Sequence, residues 1–449
     1  MLSNKITTLA ESARYDVCLS SCSTGASGKQ GRSRNPRNPL HDWIYPAAVP
    51  GQGIVHILKI LQSNSCKNSC SYCQFSSKNS NLRRTTLSPE ELAVSFMEMF
   101  RKRLVSGIFI SSGVCRSPSH SMEEMVKTAE LLRKRYRFKG YIHLKIIPGC
   151  NEELILAAAE LADRLSINME APTRNHLHNI APDKDLISQI IPAVSVTANI
   201  LKKKKDSDSF SRIKAKSQTT QFVVGASNEK DIEIIKSVDT LYRNYYMFRS
   251  YFSAYQEKWA VETQSQSKNK EQDPFKGYPL LREHRLYQCD FLMRAYGFRF
   301  PELIFDSKGN IPLETDPKTA WAMMNQDIFP IEINKADFAS LIKVPGIGPQ
   351  SAEKIIKERK NNHLKNSDDL KRTGAWSNRA CGWITLDGKK TEDSNASSQK
   401  WLFEELAPSN WKKPEDFGIK TSAEKDFPAQ KGKWVNYTFN KNKKKIWCR

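Results

Sequence analysis

The sequence predicts an α/β fold: a partial (β/α)6 barrel of the TIM type, followed by a small helical hairpin region. The first observation is that six strand-like segments alternate with helix-like segments between residues 52 and 256. Strands separated by helices favour a parallel sheet with right-handed crossovers, and six such units close three quarters of an eight-stranded barrel. The second observation is that apolar residues recur at helical spacing on both sides of a glycine turn near residue 346.

The strands and helix starts of the predicted barrel can be assigned in order. The predicted strands occupy residues 54–61, 107–112, 141–147, 164–170, 220–225 and 246–250. Ser88 is followed by proline and, three residues later, by Glu91, which is a capping box. The stretch from Ser121 to Glu124 repeats the pattern, and Asn151 before two glutamates is a further predicted N-cap.

The length of 449 residues allows about three domains. Composition predicts an irregular, polar beginning and end around the patterned middle. The predicted division is an N-terminal arm at 1–50, the barrel at 51–256, a linker and mainly helical extension at 257–330, the hairpin region at 331–386 and a polar basic tail at 387–449.

Charge and hydropathy indicate the surroundings of the chain. Lys and Arg number 70 against 48 Asp and Glu, a formal charge of +22, which favours a polyanionic partner such as nucleic acid. A solvated surface also accounts for many lysines. No signal-type apolar segment and no run of eighteen apolar residues occurs, so we expect a cytoplasmic protein with no membrane partner. Ten cysteines at irregular spacing do not resemble a disulfide framework.

Three cysteines form the most specific motif. Cys66, Cys70 and Cys73 have C-x3-C-x2-C spacing and follow the first predicted strand, where barrel enzymes keep their chemistry. Three thiolates suit a [4Fe–4S] cluster, because one of its four irons is then left for a ligand that is not protein. A zinc site needs a fourth ligand, for which His56 is a candidate. Zinc and ordinary packing of the thiols remain open alternatives.

The cysteine run, with Tyr72 directly before its last cysteine, resembles the signature of the radical S-adenosylmethionine (SAM) superfamily. The resemblance implies that SAM binds the open iron and is cleaved reductively to methionine and a 5′-deoxyadenosyl radical. It also implies a low-potential electron donor such as flavodoxin or ferredoxin. Tyr72 stands where that superfamily places an aromatic residue against adenine.

The same resemblance implies further SAM contacts. Ser112 and Gly113 stand where other members carry a Gly-Gly-Glu that receives the SAM amino group, although the glutamate is absent. Asn168 and Glu170 are similar in position to contacts with the SAM ribose, and Gly225 fits a place where bare backbone admits adenine. Asn168 and Glu170 can equally satisfy neighbouring backbone groups, and that alternative stays open.

His143 and Lys145 are the candidate catalytic residues. They alternate with Ile142 and Leu144 on a predicted strand, so one polar face can point into the barrel. A purely structural role for both remains open.

The helical hairpin is the second constellation. Gly346, Ile347 and Gly348 form a turn that can expose backbone N–H groups, and a proline then starts the second helix. These donors and the helix dipole suit a DNA phosphate. The pattern resembles the helix-hairpin-helix module of DNA repair and replication proteins, with Ser351 and Lys354 as polar supplements. A plain hairpin and a protein-contact module are the alternatives.

Longer stretches between about residues 14 and 386 resemble one radical SAM family associated with DNA modification and repair. They are 107–114, 140–149, 166–172, 219–226, 282–288 and 316–318. The resemblance implies radical chemistry on DNA. Within the fifth stretch, Arg282 and Arg285 share a helical face that can donate to a phosphate, or can simply be solvated. The same chemistry on RNA such as tRNA, and a non-catalytic iron–sulfur protein that binds nucleic acid, are the alternative functions.

Overall fold

The computed structural model describes residues 2–13, 44–49, 53–206, 212–255, 279–375, 377–390 and 408–419. These residues form two compact units. The first takes in the described residues up to 229 and those from 240 to 283, and the second takes in 230–239 and 284–419. The predicted linker and most of the predicted arm and tail lie outside the described residues.

A seven-stranded sheet is the framework of the first unit. Its strands are β1 (Ile44–Val49), β2 (Gly53–Leu61), β3 (Gly107–Ser111), β4 (Tyr141–Lys145), β5 (Arg164–Ser166), β6 (Ser217–Val224) and β7 (Met247–Ala254). Each strand pairs with the next; β2 to β7 are all parallel, and β1 is antiparallel to β2. The sheet curls into a half-barrel, so the predicted α/β partial barrel is confirmed.

Among the described residues, one helix precedes the sheet, and the helices that connect its parallel strands cover one face. They are α1 (Leu2–Ser12), α2 (Pro89–Arg101), α3 (Pro118–Glu130), α4 (Glu152–Leu161), α5 (Arg174–Ile180), α6 (Ile191–Asp206) and α7 (Asp231–Asn244). Short π-helical turns at Leu131–Arg135 and Leu186–Ile190 extend α3 and precede α6. Apolar side chains that point to the helix-covered face, such as Ile110 and Leu144, are completely buried. This layer is the core of the unit.

Two of the three predicted helix starts need correction. The capping box of Ser88 and Glu91 is confirmed at the start of α2. Helix α3 begins at Pro118 rather than after Ser121, because Ser117 supplies the cap. The Ser121 hydroxyl, inside the helix, instead accepts from the backbone amide of Cys115, which precedes the helix. Helix α4 does begin after Asn151, but that side chain accepts from the Ser119 hydroxyl and caps nothing.

Strand lengths also differ from the prediction. Strand β5 ends at Ser166 rather than at residue 170, because the chain leaves the ladder and reaches a positive φ of 64° at Glu170. Helix α1 and strand β1 lie within the predicted arm, where the sequence pattern indicated no regular element. Strand β1 contains Pro46, a residue that sheets tolerate at an edge.

The second unit contains a small sheet and short helices. Its strands are β8 (Ile331–Glu332), β9 (Ile384–Leu386) and β10 (Lys389–Lys390), in the order β10-β9-β8. The helices from this part of the chain onward are α8 (Pro279–Ala295), α9 (Pro317–Met323), α10 (Phe338–Leu341), α11 (Pro349–Glu358), α12 (Ser367–Arg372) and α13 (Ser377–Ala380). Trp321 makes edge contacts with Phe298 and Phe329 in its core, at 5.4 and 6.3 Å between ring centres. Across the described ranges, no helix has the length and hydropathy that a membrane span requires.

Candidate functional site

The cysteine loop follows the C-terminal end of β2 and packs on the loop after β3. The Lys67 amide donates to the Val114 carbonyl at 2.8 Å, and the Val114 amide donates to Cys66 Sγ at 3.3 Å. Cys70 is buried, whereas Cys66 and Cys73 are half-buried. The structure therefore brings the run to the edge of the barrel where the sequence predicts the site.

Gly113 permits the close approach of these two loops. A Cβ atom at this position would lie 2.4 Å from the Ser65 carbonyl oxygen and 3.1 Å from the Cβ of Cys66. The Gly113 amide also donates to the Ser63 carbonyl at 2.8 Å, and the Ser112 hydroxyl donates to the Gly113 carbonyl at 2.9 Å. Ser112 and Gly113 thus lie directly beside the first cysteine.

Arg84 holds the cysteine loop in its fold. Its guanidinium donates to four backbone carbonyls at 2.6 to 3.0 Å, those of Asn64, Phe75, Ser76 and Asn79. Hydrogen bonds to a charged group contribute about 1.5–3 kcal/mol each. One side chain therefore fixes both ends of the segment that carries the cysteines, and no sequence pattern indicated it.

A second loop, at residues 180–185, fastens the same segment from the other side. The amide and hydroxyl of Ser69 both donate to Asp183 Oδ2 at 2.6 Å, and the Ser71 amide donates to the Ile180 carbonyl at 2.9 Å. The hydrogen bonds from Ser69 lower the pKa of Asp183. The carboxylate is thus held ionised as an acceptor.

Lys184, on that loop, contacts two of the predicted SAM-site residues, and a third joins them through Glu170. Its Nζ lies 2.9 Å from Glu170 Oε1 and 3.1 Å from the Tyr72 hydroxyl, and Asn168 Nδ2 donates to Glu170 Oε2 at 3.4 Å. Burial alone lowers the pKa of Lys184, but the charges of Glu170 and Cys70 outweigh it and raise the pKa above its ordinary value. Lys184 is therefore a cation inside the site, and the sequence analysis missed it.

The three thiols are close enough to influence one another. Burial and, after it, the charge of Cys70 raise the pKa of the Cys73 thiol to about 12. Burial likewise raises the pKa of Cys70, with Cys66 contributing. Metal binding favours the thiolate against such a shift, since ligands must be deprotonated. Three grouped sulfur donors on one loop fit a [4Fe–4S] cluster.

The structure does not favour the zinc alternative. His56 lies inside β2, opposite Pro46, and the strand continues for five residues before the cysteine loop begins. That distance is about 17 Å along a strand.

Gly225 lies after β6 in a turn with a φ of 86°, which an L side chain rarely adopts. Its amide donates to Glu229 Oε1 at 2.5 Å. Arg282 is buried against the same carboxylate at 3.4 Å and donates to the Glu229 carbonyl at 2.8 Å. Arg282 therefore supports the Gly225 turn, which corrects the suggestion that it faces a phosphate.

His143 and Lys145 lie on β4 with the polar alternation that the sequence predicts. The His143 ring stacks on Phe109, with 4.0 Å between ring centres. Burial, followed by the charges of Arg164, Lys59 and Lys145, lowers the pKa of His143 well below its ordinary value. The imidazole is therefore neutral at pH 7.

In the second unit, α10, the glycine turn and α11 form the predicted hairpin. Gly346 has a φ of 82°, and Gly348 is the N-cap of α11. The Ile347 amide donates to the Val344 carbonyl at 3.1 Å, and the Ile347 carbonyl accepts from Lys318 Nζ at 2.5 Å. The backbone of Ile347 is therefore occupied within the turn, which leaves the two glycines as the candidate donors.

The amides of Gly346 and Gly348 donate to no partner in the described part of the chain. Together with the first turn of α11 they form a row of N–H donors at the positive end of a helix dipole. Ser351 is buried, whereas Lys354 is exposed on α11. The arrangement suits an anion at the surface of the turn.

Comparison with protein families gives two matches. Residues 60–198 match the model of the radical SAM superfamily, and residues 327–374 match a helix-hairpin-helix motif. No curated protein matches the chain. Members of the radical SAM superfamily are enzymes that use a [4Fe–4S] cluster and SAM, the two cofactors that the sequence predicts.

Several solved structures are similar over part of the chain. The FeFe-hydrogenase maturase HydG from Carboxydothermus hydrogenoformans is 16% identical, with 46% of each chain covered and a TM-score of 0.35. Methylornithine synthase is 13% identical, with 52% of this chain and 62% of that chain covered and a TM-score of 0.37. A radical SAM methyltransferase from Sphaerobacter thermophilus is 13% identical, with 47% and 61% covered and a TM-score of 0.33.

The chain thus spans about half to three fifths of the length of the solved structures that it resembles. The family matches lie on the two regions whose geometry is described above. The protein contains a radical SAM superfamily domain at residues 60–198 and a helix-hairpin-helix motif at residues 327–374.

Proposed function

We propose that this protein is a radical SAM enzyme that modifies or repairs DNA. The observation that carries the proposal is the presence of a radical SAM domain and a helix-hairpin-helix motif in one chain. When bound, the cluster and SAM supply a 5′-deoxyadenosyl radical that abstracts hydrogen from the substrate. The formal charge of +22 supports a polyanionic substrate.

In this proposal Cys66, Cys70 and Cys73 hold the cluster. Arg84 and Asp183 keep the loop in a fixed fold through the hydrogen bonds described above. Such preorganisation matters because a metal site assembled from a mobile loop has to be ordered at the cost of conformational entropy.

The SAM-binding part of the proposal uses residues on the neighbouring loops. Lys184 joins Tyr72 to Glu170, and Asn168 donates to Glu170, so the four side chains form one hydrogen-bonded group. Gly225 offers bare backbone for adenine. The backbone around Gly113 offers carbonyls for the SAM amino group in place of the missing glutamate.

The helix-hairpin-helix positions the substrate. Its exposed amides bind a phosphate without reading sequence, and Lys354 adds a positive charge. A reactive atom inside a duplex must be extruded or already unpaired before it can meet the radical. The proposal includes a cytoplasmic location and a flavodoxin or ferredoxin as electron donor, because the cluster needs a reducing environment and a low-potential electron.

Anaerobic turnover tests the proposal. Reconstituted protein is incubated with SAM, a reductant and duplex DNA, single-stranded DNA or tRNA, and nucleosides and 5′-deoxyadenosine are measured by mass spectrometry. We expect a nucleoside of altered mass from DNA, together with 5′-deoxyadenosine, and neither with the Cys70→Ala variant. Modification of tRNA alone would transfer the function to RNA. Absence of 5′-deoxyadenosine from wild-type protein that carries the cluster would leave a non-catalytic binding protein.

A further inference from the structure

The strand register places polar side chains in rows on the face of the half-barrel opposite the helices. Residues that pair directly across parallel strands point to the same face. One such row crosses β2 to β6 and consists of Lys59, Phe109, His143, Arg164 and Ser217. We call it the inner row.

A second row lies nearer the C-terminal ends of the strands. It consists of Leu61, Ser111, Lys145, Ser166, Thr219 and Arg249. We call it the outer row. Ser111 is placed in it by its pairing with Leu61, and successive rows on one face are about 7 Å apart. The cysteine loop begins directly after Leu61, so the outer row is the one next to the proposed cluster.

Below the inner row the same face becomes apolar. Val55, Ile57 and Tyr141 form a buried cluster, and Tyr45 and Phe109 pack against it. The concave face therefore has a closed apolar base, two polar rows above it and the cysteine loop at the top. Small barrels are ordinarily filled by apolar side chains, so folding alone does not explain why these two rows are polar.

The two rows carry positive charge in a buried setting. They contain four cationic side chains, those of Lys59, Lys145, Arg164 and Arg249, and no acidic residue. Lys59 lies 5.3 Å from the centre of the Phe109 ring, Lys145 and Arg249 are half-buried, and Arg164 is 8% exposed. Buried charges are costly unless they are compensated by hydrogen bonds or opposite charge. The hydroxyl of Ser217, 3.2 Å from Arg164 Nε, is a neutral partner and supplies no such charge.

Four polar atoms in these rows have no hydrogen-bond partner in the described part of the chain. They are His143 Nε2, Ser111 Oγ, Ser166 Oγ and Arg249 Nε, and all are buried. Native proteins rarely leave such atoms unsatisfied without a ligand or ordered water. Each of the four can donate a hydrogen bond, including one tautomer of the neutral imidazole. These four donors lie in the same rows as the cationic side chains. They therefore suit a negatively charged ligand with several hydrogen-bond acceptors.

We propose that the concave face of the half-barrel seats a phosphoryl group of the nucleotide on which the enzyme acts. This rests on the proposed function, because it takes the substrate to be a nucleotide. Several non-bridging oxygens on one phosphorus accept from hydroxyl, imidazole and guanidinium donors together. A nucleotide held in this way has its own phosphate inside the barrel, separate from the phosphate bound at the glycine turn.

Direct binding measurements test this proposed phosphate site, which we call the seat. Reconstituted full-length protein with SAM is titrated with the four deoxynucleosides, their 5′-monophosphates and dinucleotides with one phosphodiester. We expect at least one phosphorylated ligand to bind about 10-fold to 100-fold more tightly than its nucleoside, as one or two charged hydrogen bonds provide. The monophosphates and dinucleotides distinguish a terminal phosphate from an internal one. Equal binding of nucleosides and phosphorylated ligands, or no binding of either, overturns the proposal.

Variants locate the effect in these rows. Arg164→Gln is expected to remove most of the preference for phosphate, and Arg164→Lys to restore part of it. Should Arg164→Gln fail to fold, the Ser111→Ala, Ser166→Ala double variant removes only two unpaired hydroxyls. We expect that variant to lower the preference about 10-fold. An unchanged preference in the folded variants overturns the assignment.

The proposed function and the seat can fail separately. Gly346→Val is expected to weaken duplex binding without changing the preference for phosphorylated mononucleotides. Altered nucleosides in DNA without any phosphate preference would retain the function and reject the seat. A clear preference without any modified nucleic acid would retain the seat and reject the function.

Discussion

Gly113→Ala is the sharpest structural perturbation of the candidate cluster site. The added Cβ would lie 2.4 Å from the Ser65 carbonyl oxygen, whereas ordinary contacts of this kind begin near 3.4 Å. The loop that carries Cys66 must therefore move by about 1 Å. Overpacking of this kind costs about 1–3 kcal/mol. The displaced atoms are backbone and adjoin a cysteine, so the strain cannot be relieved by turning a flexible side chain.

Iron content after anaerobic reconstitution, together with the visible absorbance of the cluster, measures the effect. We expect Gly113→Ala to bind clearly less iron than wild type. Gly140→Ala is the matched control, because its Cβ would lie 2.4 Å from the Phe138 ring. Gly140 directly precedes β4 and so lies at the N-terminal end of the strands, whereas the cysteine loop follows a C-terminal end. We expect the control to lose stability and to keep its iron.

Two results would refute this reasoning. Full iron content in Gly113→Ala would show that the loops do not need their close approach to hold the cluster. Equal loss of iron in Gly140→Ala would show that the cluster reports general stability and says nothing about this contact.

Three further changes test the surroundings of the two sites. Lys184→Met leaves Glu170 buried without its cation, and we expect the free energy of unfolding to fall by about 3–5 kcal/mol; an unchanged urea midpoint would contradict the pairing. Arg84→Met removes the donor to four loop carbonyls, so reconstituted protein should hold less iron, while the exposed neighbour changed in Arg83→Met should have no effect. Gly346→Val puts a branched side chain at a φ of 82°, and we expect weaker duplex binding with a smaller slope against log salt. Unchanged DNA affinity would assign the hairpin to protein contacts.

The sequence predicts the parts of this structure that depend on local pattern. Alternating strand-like and helix-like segments determine the parallel half-barrel, and the cysteine run follows its first parallel strand in the chain. The glycine turn near Gly346 is equally local, because adjacent residues indicate both the positive φ, through glycine, and the start of the next helix, through proline. Strand β1 escaped prediction because Pro46 interrupts a strand pattern, although an edge strand accepts it.

The contacts that complete the site are not local, and no pattern announces them. Lys184 reaches Tyr72 from a loop 112 positions later in the chain, and Asp183 reaches Ser69 from 114 positions later. Arg84 has no special spacing to the cysteines, and its role follows only from where four carbonyls converge. The role of such side chains can be recognised only from the structure, because their partners are distant in the sequence and are brought together by the fold.

The electron paramagnetic resonance spectrum of anaerobically reduced protein, recorded before and after addition of SAM, tests the central claim most directly. An iron left without a protein ligand predicts the signal of a reduced [4Fe–4S] cluster and a change in that signal when SAM is added. A protein that takes up no iron, or a cluster signal that SAM leaves unaltered, would contradict the assignment of Cys66, Cys70 and Cys73 to a radical SAM centre.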